Sequence, residues 1–392
     1  MSKQRKQSDP YRIVVWGPGA IGQACIREIL KRPEFTLVGV LAYSESKVGK
    51  DVGELIGRAP LGVKITSDKE AIYALEADVV IWAGLPFFDM DAMHVEVMRL
   101  LESGKNVITP AGFHYPAKHG KAYVEKLEAA CRKGQSSLYG TGENSGFWFE
   151  RMVPTLTGLC TSVESIFLEE YADCAASGGS AETLNGVGFG MTIEDATSRG
   201  KHLQAMWEEF YYVESMEMLA QSTWGRPVER WDIKQGLYPL DRDIVLDKAN
   251  GDPITMTIPK GHTAGMSHNF TGFIDDQPRV KMRLNWCLRP ENSPFPYKAG
   301  DVWKIEIEAQ PVSLRCQFDA FASLKGDLHF RPGDATSSCW YATVVPMIQA
   351  IPVVVGHAPG IVVPSVFANC VPDFRQLENR KSIVDVHRYP QQ

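Results

Sequence analysis

The feature that most constrains this chain is a glycine-spaced turn set between a short apolar run and a helical pattern. Tyr11–Trp16 (YRIVVW) reads as a buried strand and runs directly into Gly17-Pro18-Gly19-Ala20-Ile21-Gly22. A helical stretch over residues 23–31 follows and is stopped by Pro33. Strand, G-x-G-x-x-G turn and helix N-terminus in that order meet the requirements of a dinucleotide-binding βα unit. Gly17 permits the tight turn, Gly19 lets the backbone approach a pyrophosphate, and Gly22 lets the helix pack closely on the strand. Pro18 fixes its own φ and donates no N–H. The donors to an anion are therefore expected at later residues such as Ala20 and Ile21, assisted by the helix dipole.

Further β-rich apolar runs lie at residues 36–42 (TLVGVLA), 78–83 (DVVIWA), 106–109 (NVIT) and 136–139 (SSLY). They alternate with helical patterns at 69–75, 89–103 and 117–133. Strands alternating with helices imply a parallel sheet with right-handed crossovers, covered on both faces. Past residue 146 the pattern changes. Helices are expected at 147–159 and 196–220, then alternating segments at 267–275, 279–288, 302–310 and 313–320, separated by Gly and Pro. This half reads as a mixed or antiparallel sheet with helices on one side. Residues 335–351 read as a helix that ends before Pro352, with an irregular Pro-rich tail beyond.

A chain of 392 residues is long for one domain. Its 44% hydrophobic and 22% charged residues are those of an ordinary globular protein. The net charge of −6 gives no attraction to nucleic acid or anionic lipid. No apolar run approaches the roughly eighteen residues of a membrane helix, and the longest, 344–355, is broken by Pro346 and Pro352. The first ten residues lack the apolar core of a signal peptide. Eight scattered cysteines with no C-x-x-C pair fit reduced, buried thiols in a cytoplasm. Nine histidines include no H-E-x-x-H, so no metal is expected.

Several stretches together resemble the dihydrodipicolinate-reductase-like family, in particular its branch of 2,4-diaminopentanoate dehydrogenase and native amine dehydrogenases. They are VVWGPGAIGQACIREIL, VGVLAYSESKVGKDVGELIG, DMDAMHVEVMRLLESGKNVIT, YGTGENSGF and AIPVVVGHAPGI, in the family's order. The resemblance implies an α/β fold: a Rossmann-type doubly wound parallel sheet with a second α+β domain for substrate and dimerisation. The implied division is residues 1–145 for the dinucleotide domain and 146–334 for the second domain. Residues 335–392 would form a C-terminal helix and tail packing back on the first. It further implies hydride transfer from a nicotinamide to a C=N or C=O bond, and a homodimer. In the amine dehydrogenases of that branch the loop after the fifth strand carries a glutamate that handles the amine and its proton. Here that loop reads Thr109-Pro110-Ala111-Gly112-Phe113-His114-Tyr115-Pro116, which keeps the closing Tyr-Pro pair but has no carboxylate before it.

The resemblance also places Tyr43, Ser44 and Lys47 beside the adenosine ribose or its 2′-phosphate. An NAD-only site would want an Asp or Glu at the end of the second strand. Hydroxyls and an ammonium suit a phosphate, so NADP is expected ahead of NAD, with Glu45 arguing the other way. Ala83 and Gly84 after the fourth strand, Thr109, Pro110 and Ala111 after the fifth, and Asn144 after the sixth complete the expected cofactor contacts.

Reduction of a carbonyl needs a proton donor on the oxygen, whereas an iminium already carries its charge. The candidates for acid–base work are His114, Tyr115 and Glu143. Aromatic walls are expected from Phe87 and Phe88, Phe113 and Tyr115, Phe147, Trp148 and Phe149, and from Trp207, Phe210 and Tyr211 at helical spacing. They favour a small hydrophobic substrate over a dicarboxylate. The alternative from another class is a non-catalytic protein that binds NADP(H) and reports its redox state to a partner.

Overall fold

The computed structural model describes residues 9–84, 90–175, 181–246, 256–296, 300–320, 324 and 338–363. The chain divides into two compact units. One comprises the described residues of Met1–Phe147 and Tyr341–Pro364, the other those of Trp148–Trp340.

The first unit runs β1 (Tyr11–Trp16), α1 (Ala20–Ile29), β2 (Phe35–Leu41), α2 (Val52–Leu55), β3 (Ile65–Thr66), α3 (Lys69–Ala74) and β4 (Val79–Trp82). It continues with α4 (Met90–Glu102), β5 (Asn106–Thr109), α5 (Lys121–Gly134) and β6 (Ser137–Gly140). The second unit contains α6 (Val153–Leu156), β7 (Ser162–Asp173), α7 (Ala181–Val187), α8 (Ile193–Glu209) and α9 (Tyr212–Trp224). Its remaining strands are β8 (Arg230–Pro239), β9 (Ile244–Leu246), β10 (Met256–Ile258), β11 (Thr263–Ile274), β12 (Gln277–Cys287), β13 (Asp301–Gln310) and β14 (Leu314–Ala320). α10 (Ser338–Gly356) and β15 (Gly360–Ile361) close the description.

The first sheet has the order β15-β6-β5-β4-β1-β2-β3, and every pairing in it is parallel. The doubly wound sheet read from the alternating pattern is therefore present. Reversal of strand order between β1 and β4 opens the crevice at the carboxyl edge where such sheets bind ligands. β1 and β4 are fully buried from Ile13 to Trp16 and from Val79 to Trp82, because helices cover both faces.

The first helix begins at Ala20, three residues earlier than the residue pattern suggests. The last three residues of the glycine turn thus form its first turn, since Gly19 takes the N-cap position. The helix expected over 117–133 is two pieces: a 3₁₀ turn, Pro116–His119, and α5, separated by Gly120 at φ 85°. α10 carries on through Pro346, as expected, and also past Pro352, where the sequence suggests an end. Tyr341, Val344, Met347, Ile348, Ile351 and Val354 form one stripe that packs into the first unit's core. The prolines lie off that stripe, and burial of its large side chains outweighs the missing backbone bonds.

The second sheet has the order β14-β13-β7-β12-β11-β8 and is mixed, with β12 and β7 parallel and the other pairs antiparallel. Two of its strands, β7 and β8, escape the residue pattern altogether. One row, Phe270, Met282, Leu168 and Ile305, is paired strand to strand and buried. The long helix expected over 196–220 is broken between α8 and α9, where Tyr211 adopts φ 71°. The helix expected over 147–159 is a composite of a π turn (Trp148–Met152), α6 and a 3₁₀ turn. Among the described residues no helix is long and apolar enough to cross a membrane. No group of three or more metal-ligating side chains is found among them.

Candidate cofactor and active site

The glycine turn is held by its neighbours rather than by its own chain alone. Gly17 sits at φ 90°, and a Cβ there would stand 2.8 Å from the backbone of Ala83 and Gly84. The N–H of Gly17 donates to the Leu41 carbonyl at 2.9 Å, and that of Ala83 to Trp16 at 2.7 Å. The turn is thus locked between the ends of β2 and β4. Gly22 lies against the Gly17 carbonyl so closely that no Cβ fits. Gly19 differs: its φ is −78°, and a Cβ there meets nothing within 4 Å.

The first bond of the α1 ladder runs from the Gln23 N–H to the Gly19 carbonyl at 2.9 Å. The N–H groups of Ala20, Ile21 and Gly22 precede that ladder, Gly19 brings no side chain to cap them, and the first turn has no acidic residue. A backbone cradle of this kind fits a pyrophosphate.

Beside it, the Lys47 ammonium donates to the Pro18 carbonyl at 3.0 Å, joining the loop after β2 to the glycine turn. Ser44 is exposed and its hydroxyl shares a hydrogen bond with that of Ser46 at 2.7 Å. Tyr43 is tied elsewhere. Its hydroxyl accepts from the Trp16 indole at 2.8 Å and donates to Glu96, whose carboxylate also takes the Lys69 ammonium at 2.7 Å.

Nearer the middle of the sheet, Thr109 is fully buried and its hydroxyl accepts from the Ala111 N–H at 3.1 Å. Gly112 at φ 135° and Phe113 at φ 60° swing the loop over β6, where Gly140 leaves room for it. His114 is buried in that loop and Tyr115 caps the 3₁₀ turn beginning at Pro116. Phe113 is buried too, its ring edge-on to His94 at 5.3 Å. After β6, the Phe147 N–H closes a turn onto the Glu143 carbonyl at 2.9 Å, and Glu143 is buried. Asn144 leads the cis peptide bond to Ser145 in that turn. Pro110 and Gly142 meet, with the Pro110 Cβ 3.4 Å from where a Gly142 Cβ would lie.

The expected cofactor contacts therefore share one edge of the first unit. The expected aromatic walls fare differently. Phe87 and Phe88 lie outside the described residues, as does the side chain of Trp207. Trp148 stacks on Trp303 at 5.0 Å and Tyr211 packs edge-on to Tyr212 at 4.6 Å, both inside the second unit. Among the buried carboxylates that the residue pattern does not single out, two stand out. One is Glu96; the other is Glu150, in the π turn, whose oxygens have no hydrogen-bond partner among the described residues.

Residues 11–110 match the family described as dihydrodipicolinate reductase, N-terminus. The chain is 24% identical to an amine dehydrogenase of Streptomyces virginiae, over 89% of this chain and 93% of that protein. It is 22% identical to the 2,4-diaminopentanoate dehydrogenase of Acetoanaerobium sticklandii, over 72% of this chain and 78% of that one. Its fold is that of an amine dehydrogenase from Mycobacterium smegmatis, with a TM-score of 0.69 at 19% identity, over 93% of this chain and 99% of that one.

Proposed function

We propose that this chain, an NAD(P)-dependent oxidoreductase of the dihydrodipicolinate-reductase-like group, uses NADPH to reduce the C=N or C=O bond of a small apolar substrate. The observation that carries the cofactor half is the Lys47 ammonium at 3.0 Å from the Pro18 carbonyl. It stands a cation between the loop after β2 and the glycine turn, and no acidic residue ends β2 to receive ribose hydroxyls. The amine and diaminopentanoate dehydrogenases among its relatives support a carbon–nitrogen bond as the reacting group.

When bound, the nicotinamide supplies the hydride. The chain supplies the rest. The N–H groups of Ala20 and Ile21 hold the pyrophosphate, and Lys47 and Ser44 hold the 2′-phosphate. Gly84, Pro110, Ala111 and Asn144 border the nicotinamide end. His114 gives the proton to the nascent alkoxide or amine, and Tyr115 and Glu143 are the neighbours able to replace it. Reduction of a preformed iminium calls for no such donor.

The test is NADPH consumption with hydrophobic ketones, with and without ammonia, and with preformed cyclic imines. Turnover on an imine or an ammonia-dependent ketone reaction supports the reading. Tight NADPH binding with no turnover on any of them removes the catalytic role.

A further inference from the structure

Glu96 stands on α4, only 5% exposed, and three side chains donate to it. The Tyr43 hydroxyl lies 2.7 and 2.8 Å from its two oxygens, the Lys69 ammonium 2.7 Å and the Trp82 indole nitrogen 3.2 Å. The Tyr43 hydroxyl in turn accepts from the Trp16 indole at 2.8 Å. Trp16 and Trp82 end β1 and β4 and stand opposite each other in register. Tyr43 follows just past β2. One carboxylate therefore ties three strand ends together on the edge where a dinucleotide would lie.

This network decides which part of Tyr43 can meet a ligand. The hydroxyl is committed at both ends. Burial pushes the phenol above its ordinary pKa and Glu96 adds to the rise, against the Trp16 donation, so the hydroxyl remains a donor to the carboxylate. Yet Tyr43 as a whole is 54% exposed, so with its hydroxyl committed the ring is the part of the side chain left to meet a ligand. The Lys69 ammonium lies 5.3 Å from the ring centroid, so the aromatic plane is pinned by a cation as well as by its own hydroxyl. Tyr43 also falls about twenty residues beyond the last glycine of the turn, where a βαβ unit meets the adenosine. Glu96 itself is unsuited to receive ribose hydroxyls, because it is buried and already accepts from three side chains.

We propose that the Tyr43 ring is the face on which the cofactor's adenine stacks, and that Glu96 is the positioning residue that sets its plane. The inference rests on the nucleotide reading above. Stacking of a base on an aromatic ring is sequence-tolerant and strong enough to shift affinity by roughly tenfold or more. Glu96 never touches the nucleotide; it acts through the Tyr43 hydroxyl and through Lys69.

The test separates the two halves of the cofactor by direct binding to the full chain. Titrations use 2′,5′-ADP, which carries the adenine, and reduced nicotinamide mononucleotide, which lacks the adenosine. Glu96→Gln is expected to weaken 2′,5′-ADP about tenfold and the mononucleotide by less than twofold. Tyr43→Ala should weaken 2′,5′-ADP at least as much, and adding Glu96→Gln to it should cost nothing further. Should Glu96→Gln fail to fold, Tyr43→Phe removes the same hydroxyl–carboxylate bond from the exposed side and is expected to show the same split. Equal losses for both probes, additive losses in the double variant, or unchanged 2′,5′-ADP affinity would overturn the proposal. Wild-type protein that binds neither NADPH nor 2′,5′-ADP would overturn the nucleotide reading as well.

Discussion

Gly22 lies so near the Gly17 carbonyl oxygen that a Cβ on Gly22 has no room, whereas one on Gly19 meets nothing within 4 Å. The glycines of one motif thus serve different masters. Gly17 and Gly22 are required by the protein's own backbone, whereas Gly19, on the proposed nucleotide reading, answers to what the turn would hold.

That difference predicts opposite phenotypes. Gly22→Val should destabilise the first unit by about 1–3 kcal/mol or more, as overpacking does, with a matching fall in Tm. Gly19→Ala should leave Tm nearly unchanged while weakening NADPH about tenfold, or about 1.4 kcal/mol, by calorimetry. A folded Gly19→Ala variant with wild-type cofactor affinity would remove the pyrophosphate assignment.

Lys47 provides the test of cofactor choice. Lys47→Ala is expected to weaken NADPH by about 1.5–3 kcal/mol, the range of one charge-assisted contact, and NADH far less. Equal losses for the two cofactors, or a wild-type preference for NADH, would show that Lys47 only braces the Pro18 carbonyl.

The proton donor is tested by comparing neighbours. His114→Ala should lower kcat on a ketone by roughly 10²–10⁴ with little change in NADPH affinity, and Tyr115→Phe should be mild. If His114→Ala keeps wild-type kcat while Glu143→Gln is inactive, the carboxylate after β6 is the acid. If neither variant is impaired, the substrate arrives as an iminium.

The second unit carries a pH-sensitive stability element. His268 on β11 is fully buried, its ring 5.1 Å from that of Trp286, and burial pushes its pKa down to about 3. Unfolded, the same imidazole titrates near 6.5. Below that pH the unfolded chain takes up a proton that the folded chain refuses, so stability falls as pH drops from about 6.5 to about 3 and is fully present above 6.5. His268→Phe should flatten that part of a plot of urea midpoint against pH; an unchanged slope would mean other groups dominate acid unfolding.

The nucleotide half of this molecule was legible because its signals are local. A strand, three glycines and a helix lie within twenty-odd consecutive residues, and the loops at the carboxyl edge follow directly from the strands. What stayed hidden depends on distant partners. β7 reads SVESIFLEEYAD, with carboxylates where a central strand should be apolar. Glu169 is tolerable there because Asn285 and Arg283 from β12 donate to it at 3.1 and 3.5 Å. β8 (RWDIKQGLYP) is half-buried along much of its length, so its pattern lacks the alternation of a strand with one wet face. Glu96 looks like one more surface charge on an amphipathic helix. Its burial is decided by Trp16, Tyr43 and Trp82, which only the folded sheet assembles around it.

β15 pairs with β6, and the stripe of α10 fills the first unit's core, although some two hundred residues of the second unit separate them from β6 in the chain. As the polypeptide leaves the ribosome, the dinucleotide half therefore emerges lacking its last strand and one covering helix. Its apolar surface must wait through the synthesis of the whole intervening half before it is covered. A translation arrest anywhere in that interval yields a nascent chain with an open sheet edge and a bare core, the kind of species that chaperones recognise. Quality control of this unit is thereby deferred until the second unit has been made: the sheet is finished only when residues 338–361 have appeared.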